Sequence, residues 1–251
     1  MKRIFAAALG LVFLSLTACR QEKTSLKEIT ATQININDGI ESDAKITEYI
    51  KPYKDNIDKQ MDSVISYSSY SISKSDGEFN TAIGNMMADA VYEMASPVFK
   101  KRTGQQLDAV LLNHGGIRSP LGKGPITMRT AFEIMPFENS IVVVELSGEK
   151  IKEMFDYLKR GKAHPISHMQ LIIDKNHNIK KATIGGKPIV DTETYFIATN
   201  DYLQQGGDGM VFLGDPISLE VLDYKVRSVL IDYFNKHDTI APVRDDRFIK
   251  Q

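Results

Sequence analysis

Leu107-Asp108-Ala109-Val110-Leu111-Leu112-Asn113-His114-Gly115-Gly116-Ile117-Arg118 is a short apolar run that passes directly into a glycine-bearing polar loop. The run from Leu107 to Leu112 is too short for a helix and predicts a largely buried strand. Glycines just after a strand let the backbone turn tightly and let a ligand approach the main chain. Arg118, beyond them, carries a planar fork of donors suited to a phosphate or carboxylate. A plain strand-end turn with Arg118 on the surface is the simpler reading of this segment alone.

Working outward, helical and strand patterns interleave. Upstream, Phe79, Ile83, Met86, Met87, Ala90, Val91, Met94 and Val98 form one apolar stripe, predicting a helix that begins near Glu78. Further back, Asp43 is placed to cap a helix with Ile46, Ile50, Tyr53, Ile57 and Met61 at helical spacing, kinked or broken at Pro52. Ile29–Ile36 and Val64–Ser73 alternate like strands. Downstream, Thr127 is placed to cap a short helix that ends before Pro136, and Ile141–Leu146 reads as a β-branched strand. Ser147-Gly148 turns into a helix with Ile151, Met154, Phe155 and Leu158 on one face. Met169–Asp174 and Ile179–Ile184 predict a hairpin, with Gly185-Gly186 a further turn. Tyr195–Thr199 is a strand that leads into Gly206-Gly207-Asp208-Gly209, and Asp223 is placed to cap a last helix carrying Val226, Val229, Leu230, Tyr233 and Phe234. The expected class is α+β: a single domain, residues 29–251, with a mixed β-sheet and packed helices.

Two further loops carry groups suited to recognition. In Pro136-Phe137-Glu138-Asn139 a ring follows a proline and stands two residues from an amide, which suits stacking on a flat ligand and reading its edge. Core packing of Phe137 is the simpler reading of that segment alone. In the segment Asn200 to Gly209 three glycines surround Asp208, so the backbone can bend sharply around a carboxylate able to accept hydrogen bonds from a diol. An ordinary turn is the alternative there.

Composition removes several function classes. The 251 residues hold 31 basic and 32 acidic side chains, and this balance gives no electrostatic footprint for nucleic acid. The five histidines form no H-E-x-x-H pattern, no G-x-S-x-G elbow occurs, and Gly122-Lys123-Gly124 lacks the hydroxyl residue of a P-loop, so neither a metal site nor a catalytic residue is assigned in this chain. Met1-Lys2-Arg3 and the apolar stretch Ile4–Leu16 read as a signal peptide over residues 1–18. Leu16-Thr17-Ala18-Cys19 then reads as a lipobox, with Cys19 as the lipidated residue. Residues 19–28 are expected to be a tether, and the protein to be lipid-anchored on the periplasmic side of a bacterial membrane. Cys19 is the only cysteine, so the fold is expected to form without disulfides.

Taken together and in this order, Ile83–Ala90 on the long helix, Asn113–Arg118, Pro136–Asn139, Ser147-Gly148 and Tyr202–Gly209 resemble the C-terminal domain of the 5′-nucleotidase family, over core motifs spanning residues 77–214. That domain is the substrate-binding half of periplasmic and cell-surface nucleotidases and UDP-sugar hydrolases. The resemblance implies that Phe137 and Tyr202 sandwich a nucleobase, that Asn139 reads the base, and that Arg118 meets the phosphate side. It implies further that Asp208 holds the ribose hydroxyls and that Asn113 contacts the ligand. Stacking of this kind contributes about 1–3 kcal/mol per base and tolerates different bases.

The chain departs from the family pattern in three respects. The family often carries arginines just before the Gly-Asn helix, whereas the only basic residue in Ser71–Ile83 is Lys74, so either the phosphate contact is weaker here or Lys74 or Arg129 helps Arg118. Ser167 is followed by His168, where the family often has a small residue, and the bulkier imidazole could narrow the base pocket. Family enzymes place a two-metal catalytic domain before this one, but no histidine lies between Cys19 and Gly77. The expectation is therefore the nucleotide- or nucleoside-binding half of a split 5′-nucleotidase-type hydrolase in nucleotide catabolism. A separate metallophosphatase subunit would carry the divalent metals, with no cofactor in this chain and no hydrolysis by it alone. The alternative is a non-catalytic lipoprotein that captures nucleosides or nucleotides for uptake.

Overall fold

A computed structural model describes residues 25–251. The expected signal peptide and Cys19 lie outside the described residues. The chain divides at Tyr49–Ile50 into two units, and every feature discussed below from Ile50 onward belongs to the second.

Five strands make the central sheet: β2 (Ala109–Leu111), β4 (Ser140–Ser147), β5 (Ile166–Ser167), β9 (Thr194–Asn200) and β10 (Ser218–Lys225), in the order β10-β4-β9-β2-β5. β2 and β9 run parallel and all other neighbours antiparallel, so the sheet is mixed. Side chains alternate between two hydrophobic cores, as strand geometry requires. Val110, Ile141, Val143 and Ala198 enter the first core, and Ala109, Leu111, Val144, Leu146 and Ile197 the second. Burial on both faces explains why β4 reads Ile-Val-Val-Val rather than apolar–polar.

The first core is closed by helices α2 (Ala82–Thr103) and α6 (Val226–Lys236), and by a small sheet of β1 (Val64–Ser68), β3 (Gly124–Thr127) and β11 (Thr239–Ile240) in the order β11-β1-β3. The second is closed by α4 (Gly148–Leu158) and by the sheet β12-β6-β7-β8, where β6 is Met169–Ile173, β7 Ile179–Ile184, β8 Lys187–Pro188 and β12 Phe248–Lys250. Ile151, Met154, Phe155 and Leu158 are buried on one face of α4, each contributing about 1.5–3 kcal/mol of burial. Among the described residues the remaining helices are α1 (Ala44–Met61), α3 (Met128–Ile134) and α5 (Asp201–Gln204). None of the described helices is long and apolar enough to cross a membrane. The α+β class with a mixed sheet is thus what the structure contains.

Local signals hold where a side chain can satisfy a helix end. Asp43 Oδ1 accepts from the Lys45 and Ile46 amides. Thr127 and Thr130 form a reciprocal capping box. Ser147 caps α4. Several expectations need correction. Ile29–Ile36 forms no strand, because an alternating segment becomes one only by pairing with an edge. The strand from Val64 ends at Ser68 rather than Ser73. α1 runs through Pro52 without a break. Asp223 does not cap the last helix: it lies within β10 at φ 50°, where the pairing with β4 shifts register, and the helix starts at Val226. The long helix begins at Ala82, not Glu78, because the Thr81 hydroxyl accepts from the Gly84 amide at 3.1 Å while Phe79 packs on Phe248 in the second core.

At the sheet edge, Arg102 from α2 donates to the carbonyls of Val221 and Leu222 at 2.8 and 2.9 Å, beside the irregularity in β10.

Candidate functional site

Three separate loops meet at one end of the central sheet, and the strand directions explain why. β2 and β9 are parallel neighbours, so the segments that follow them, Asn113–Arg118 and Tyr202–Gly209, leave at the same end. β4 is antiparallel to β9 with Ile141 opposite Asn200, so the segment that precedes it, Pro136–Asn139, arrives at that end too. Loops at the carboxyl ends of parallel strands are where open sheets build ligand clefts. Here they enclose a cavity of about 550 Å³ lined by Asn113, Gly115, Gly116, Arg118, Phe137, Glu138, Asn139, Tyr202 and Asp208. All six residues singled out from sequence line it.

Asn113 is buried at the end of β2 and opens a single 3₁₀ turn, His114–Gly116. Its Nδ2 donates to Asp208 Oδ2 at 3.0 Å across the cleft floor. A Cβ on Gly116 would sit 3.0 Å from Asn113 Oδ1, so the glycine leaves room for this amide. On the far side, Asn200 caps α5 by accepting from the Leu203 amide, which places Tyr202 on the first turn. The Tyr202 phenol donates to Asp208 Oδ1 at 2.9 Å. The Asp208 carboxylate is thus gripped by one donor on each oxygen, and each oxygen keeps a lone pair for a further donor. Asp208 itself sits at φ 53°, with Gly206 at φ 90° and Gly209 at φ 75°, left-handed conformations that the two glycines adopt readily. Gly207 answers a different need, since a Cβ there would lie 2.5 Å from the Tyr202 ring and 2.5 Å from its carbonyl oxygen.

Phe137 and Tyr202 are 42% and 45% exposed, so two large rings face the cleft rather than the core. The Arg118 guanidinium stands 5.8 Å from the centre of the Phe137 ring. Asn139 Nδ2 donates to Asp201 Oδ1 at 3.0 Å, and the Tyr202 amide donates to the same oxygen at 2.8 Å, so one carboxylate ties the two recognition loops together.

Several further groups, unassigned in the sequence, stand in and behind this lining. Tyr157 on α4 donates from its hydroxyl to the Asp208 carbonyl at 2.8 Å, and Arg160 stacks over its ring at 5.3 Å. His164 is buried, and its Nδ1 accepts the His114 amide at 3.3 Å. Burial, with the nearby Lys162 charge, holds its pKa down to about 4, so it is neutral and able to accept. Glu138 lines the cleft and is paired with Lys225 and Arg227, whose hydrogen bonds, Lys225 first, pull its pKa down to about 2. None of these carries a local sequence signal, because each acts across a long stretch of chain.

Three expectations about the pocket are corrected. Arg129 pairs with Asp58 and Asp62 and so does not assist Arg118. Lys74 does not line the cleft, although its charge acts on His114. His168 does not narrow the cleft: it stacks on Tyr92 with ring centres 3.4 Å apart, while Ser167 donates to Asp89.

Residues 59–215 match the family described as 5′-nucleotidase, C-terminal domain. The chain belongs to this family. Within it, the trifunctional nucleotide phosphoesterase protein YfkN of Bacillus subtilis is 29% identical over 171 residues, covering 62% of this chain and 11% of that protein. The 5′-nucleotidase of Vibrio cholerae is 24% identical over 222 residues, covering 83% of this chain and 37% of that protein. The crystal structure of a 5′-nucleotidase precursor from Thermus thermophilus superimposes with a TM-score of 0.68 at 20% identity, covering 81% of this chain and 42% of that one, which is a likeness of fold. The chain therefore spans less than half the length of each of these 5′-nucleotidase-domain relatives. Among the described residues no group of three or more histidine, cysteine, aspartate or glutamate side chains is placed to hold a metal ion.

Proposed function

We propose that this domain grips the nucleoside portion of a nucleotide in the cleft between Phe137 and Tyr202, for hydrolysis of the phosphate ester by a metal centre on a separate metallophosphatase chain. The observation that carries the reading is the pair of exposed rings facing one cavity whose floor is a doubly held carboxylate. Exposed aromatic faces beside convergent polar groups are the signature of a flat ligand with polar edges. In this reading the two rings stack on the base and Asn139 contacts its edge. Asp208 accepts from the ribose diol, Asn113 holds Asp208 in register, and Arg118 meets the first phosphate. The chain's own part is binding and orientation; divalent metal on the partner would polarise the ester and activate water.

Calorimetry of the isolated protein with AMP, GMP, CMP and UMP tests the binding step. Saturable binding that Phe137→Ala abolishes supports it, and no binding to any of the four overturns it. Hydrolysis of AMP at ordinary enzymatic rates by this chain alone with divalent metal would overturn the separate catalytic chain.

A second reading, capture of nucleosides or nucleotides without hydrolysis, is favoured by the charge of the lining, where Arg118 is the only cation. Equal affinity for adenosine and AMP would support it, and a preference for AMP of about tenfold or more would favour the hydrolytic reading. We propose further that Cys19 carries a lipid that holds the domain on the periplasmic side of a bacterial membrane. Mass spectrometry of the mature N-terminus tests this: an unmodified or absent Cys19 would rule it out.

A further inference from the structure

Phe137 keeps a large ring exposed in a loop that has no regular secondary structure, so something outside the loop must hold it there. The first turn of α6 does so. The Val226 amide donates to the Asn139 carbonyl at 3.0 Å. Arg227 Nη1 faces the Pro136 carbonyl at 3.2 Å and the Phe137 carbonyl at 3.4 Å, and its Nη2 pairs with the Glu138 carboxylate. One guanidinium thus touches three consecutive residues, and the neighbouring amide holds the fourth. The Arg227 side chain is only 9% exposed, with its guanidinium 4.1 Å from the centre of the Phe132 ring, so the planar fork is fixed on its own face too. Lys225 joins the same carboxylate from the end of β10. It reaches Glu138 because the left-handed residue Asp223 and the register shift beside it turn the chain just before the helix.

We infer that Arg227 is a positioning residue for the cleft, holding Phe137 in its ligand-facing position, and that Glu138 lines the cleft as the partner of Arg227 and Lys225 rather than as a ligand contact. This rests on the proposed stacking role of Phe137. It extends that reading by assigning the two charged residues that the recognition motifs leave without a purpose. Lysine cannot replace the arginine, since a single ammonium cannot serve both backbone carbonyls and the carboxylate in one plane.

The test is a double-mutant cycle on the full chain, with calorimetric titration of AMP and thermal melting of each variant. Binding by the wild type, lost in Phe137→Ala, establishes the stacking reading first; if the wild type fails to bind, that reading falls and this one with it, whereas the variants below overturn this one alone. The milder Phe137→Leu variant then serves as the reporting background. Arg227→Met, Arg227→Lys and Glu138→Gln are each expected to weaken AMP binding about tenfold in the wild-type background and less than about twofold when combined with Phe137→Leu. A general structural role predicts the same loss in both backgrounds, and that result would overturn the inference, as would wild-type affinity in Arg227→Met. If Arg227→Met does not fold, the more exposed Glu138→Gln decides alone: weakened binding supports the clamp, and unchanged affinity removes it.

Discussion

The Tyr202 phenol donates to Asp208 Oδ1 at 2.9 Å, while the Asp208 amide faces the same phenol oxygen at 3.2 Å. The ring that offers a stacking face therefore also shapes the carboxylate loop, and the two contributions separate by substitution. Tyr202→Phe keeps the face and loses the bond; Tyr202→Ala loses both. Nucleotide affinity measured by calorimetry is expected to fall by about 1 kcal/mol in the first and by a further 1–3 kcal/mol or so in the second. Equal losses would mean that the ring face contributes nothing.

Gly207 lies under that same ring. A methyl group there would meet the Tyr202 ring and its carbonyl oxygen, each at 2.5 Å, and the carbonyl is backbone that cannot swing aside. Gly207→Ala is expected to cost about 1–3 kcal/mol of stability and to displace Tyr202 from the cleft. Gly122→Ala is the control, since nothing lies within 4 Å of a Cβ there. Chemical denaturation of the two variants should separate them clearly; matching midpoints would show that the Gly207 loop yields freely.

His164 gives the protein a pH dependence of known sign. Its folded pKa is held down to about 4, against an ordinary unfolded value near 6.5. The stability associated with its neutral form is full above the unfolded value and is lost as pH falls through 6.5 toward 4. Between pH 7 and pH 5 the loss from this one group is roughly 2 kcal/mol. His114 and His168 are pushed in the same direction, mainly by burial, so the comparison must be with a variant. Asparagine can still accept the His114 amide but does not titrate. His164→Asn should flatten the stability profile over that range in urea denaturation, and an unchanged slope would count against a buried neutral imidazole.

Arg247 joins elements far apart in sequence. Its guanidinium bonds Asp89 on α2, Asp245 near the C-terminus and the Ile166 carbonyl of β5. Arg247→Met leaves two carboxylates without their shared partner and is expected to destabilise by about 2–3 kcal/mol. Adding Asp89→Asn should recover part of that loss, because an amide can be left unpaired at lower cost than a charge. No recovery in thermal melting would mean that the loss came from packing.

What was legible in the sequence was whatever is decided within a few residues. Asn113–Arg118 and Tyr202–Gly209 announce themselves because turning tightly after a strand needs glycine, and Thr127 because a helix end needs an acceptor. Their convergence on one cleft was implied only through the family likeness, since it depends on the parallel pairing of β2 with β9. Arg227 and His164 stayed hidden for the same reason: a lone arginine on a helix and a lone histidine in a loop mean nothing until distant chain folds over them. Asp223 misled because a helix-capping residue type also suits the left-handed turn of a bulge. Ile29–Ile36 misled because alternation records a preference for pairing, not a partner.

The grip of Arg102 on β10 bears on how the protein behaves in a crowd of its own copies. β10 is the outermost strand on its side of the central sheet, and Leu219 and Val221 stand exposed along it, with Ile217 exposed just before it. A strand like that invites a second molecule to dock edge to edge and begin aggregation. The Arg102 guanidinium covers the carbonyls of Val221 and Leu222, while the left-handed kink at Asp223 bends the strand out of line. The same irregularity that delivers Lys225 to Glu138 therefore also shortens the straight edge open to a neighbour.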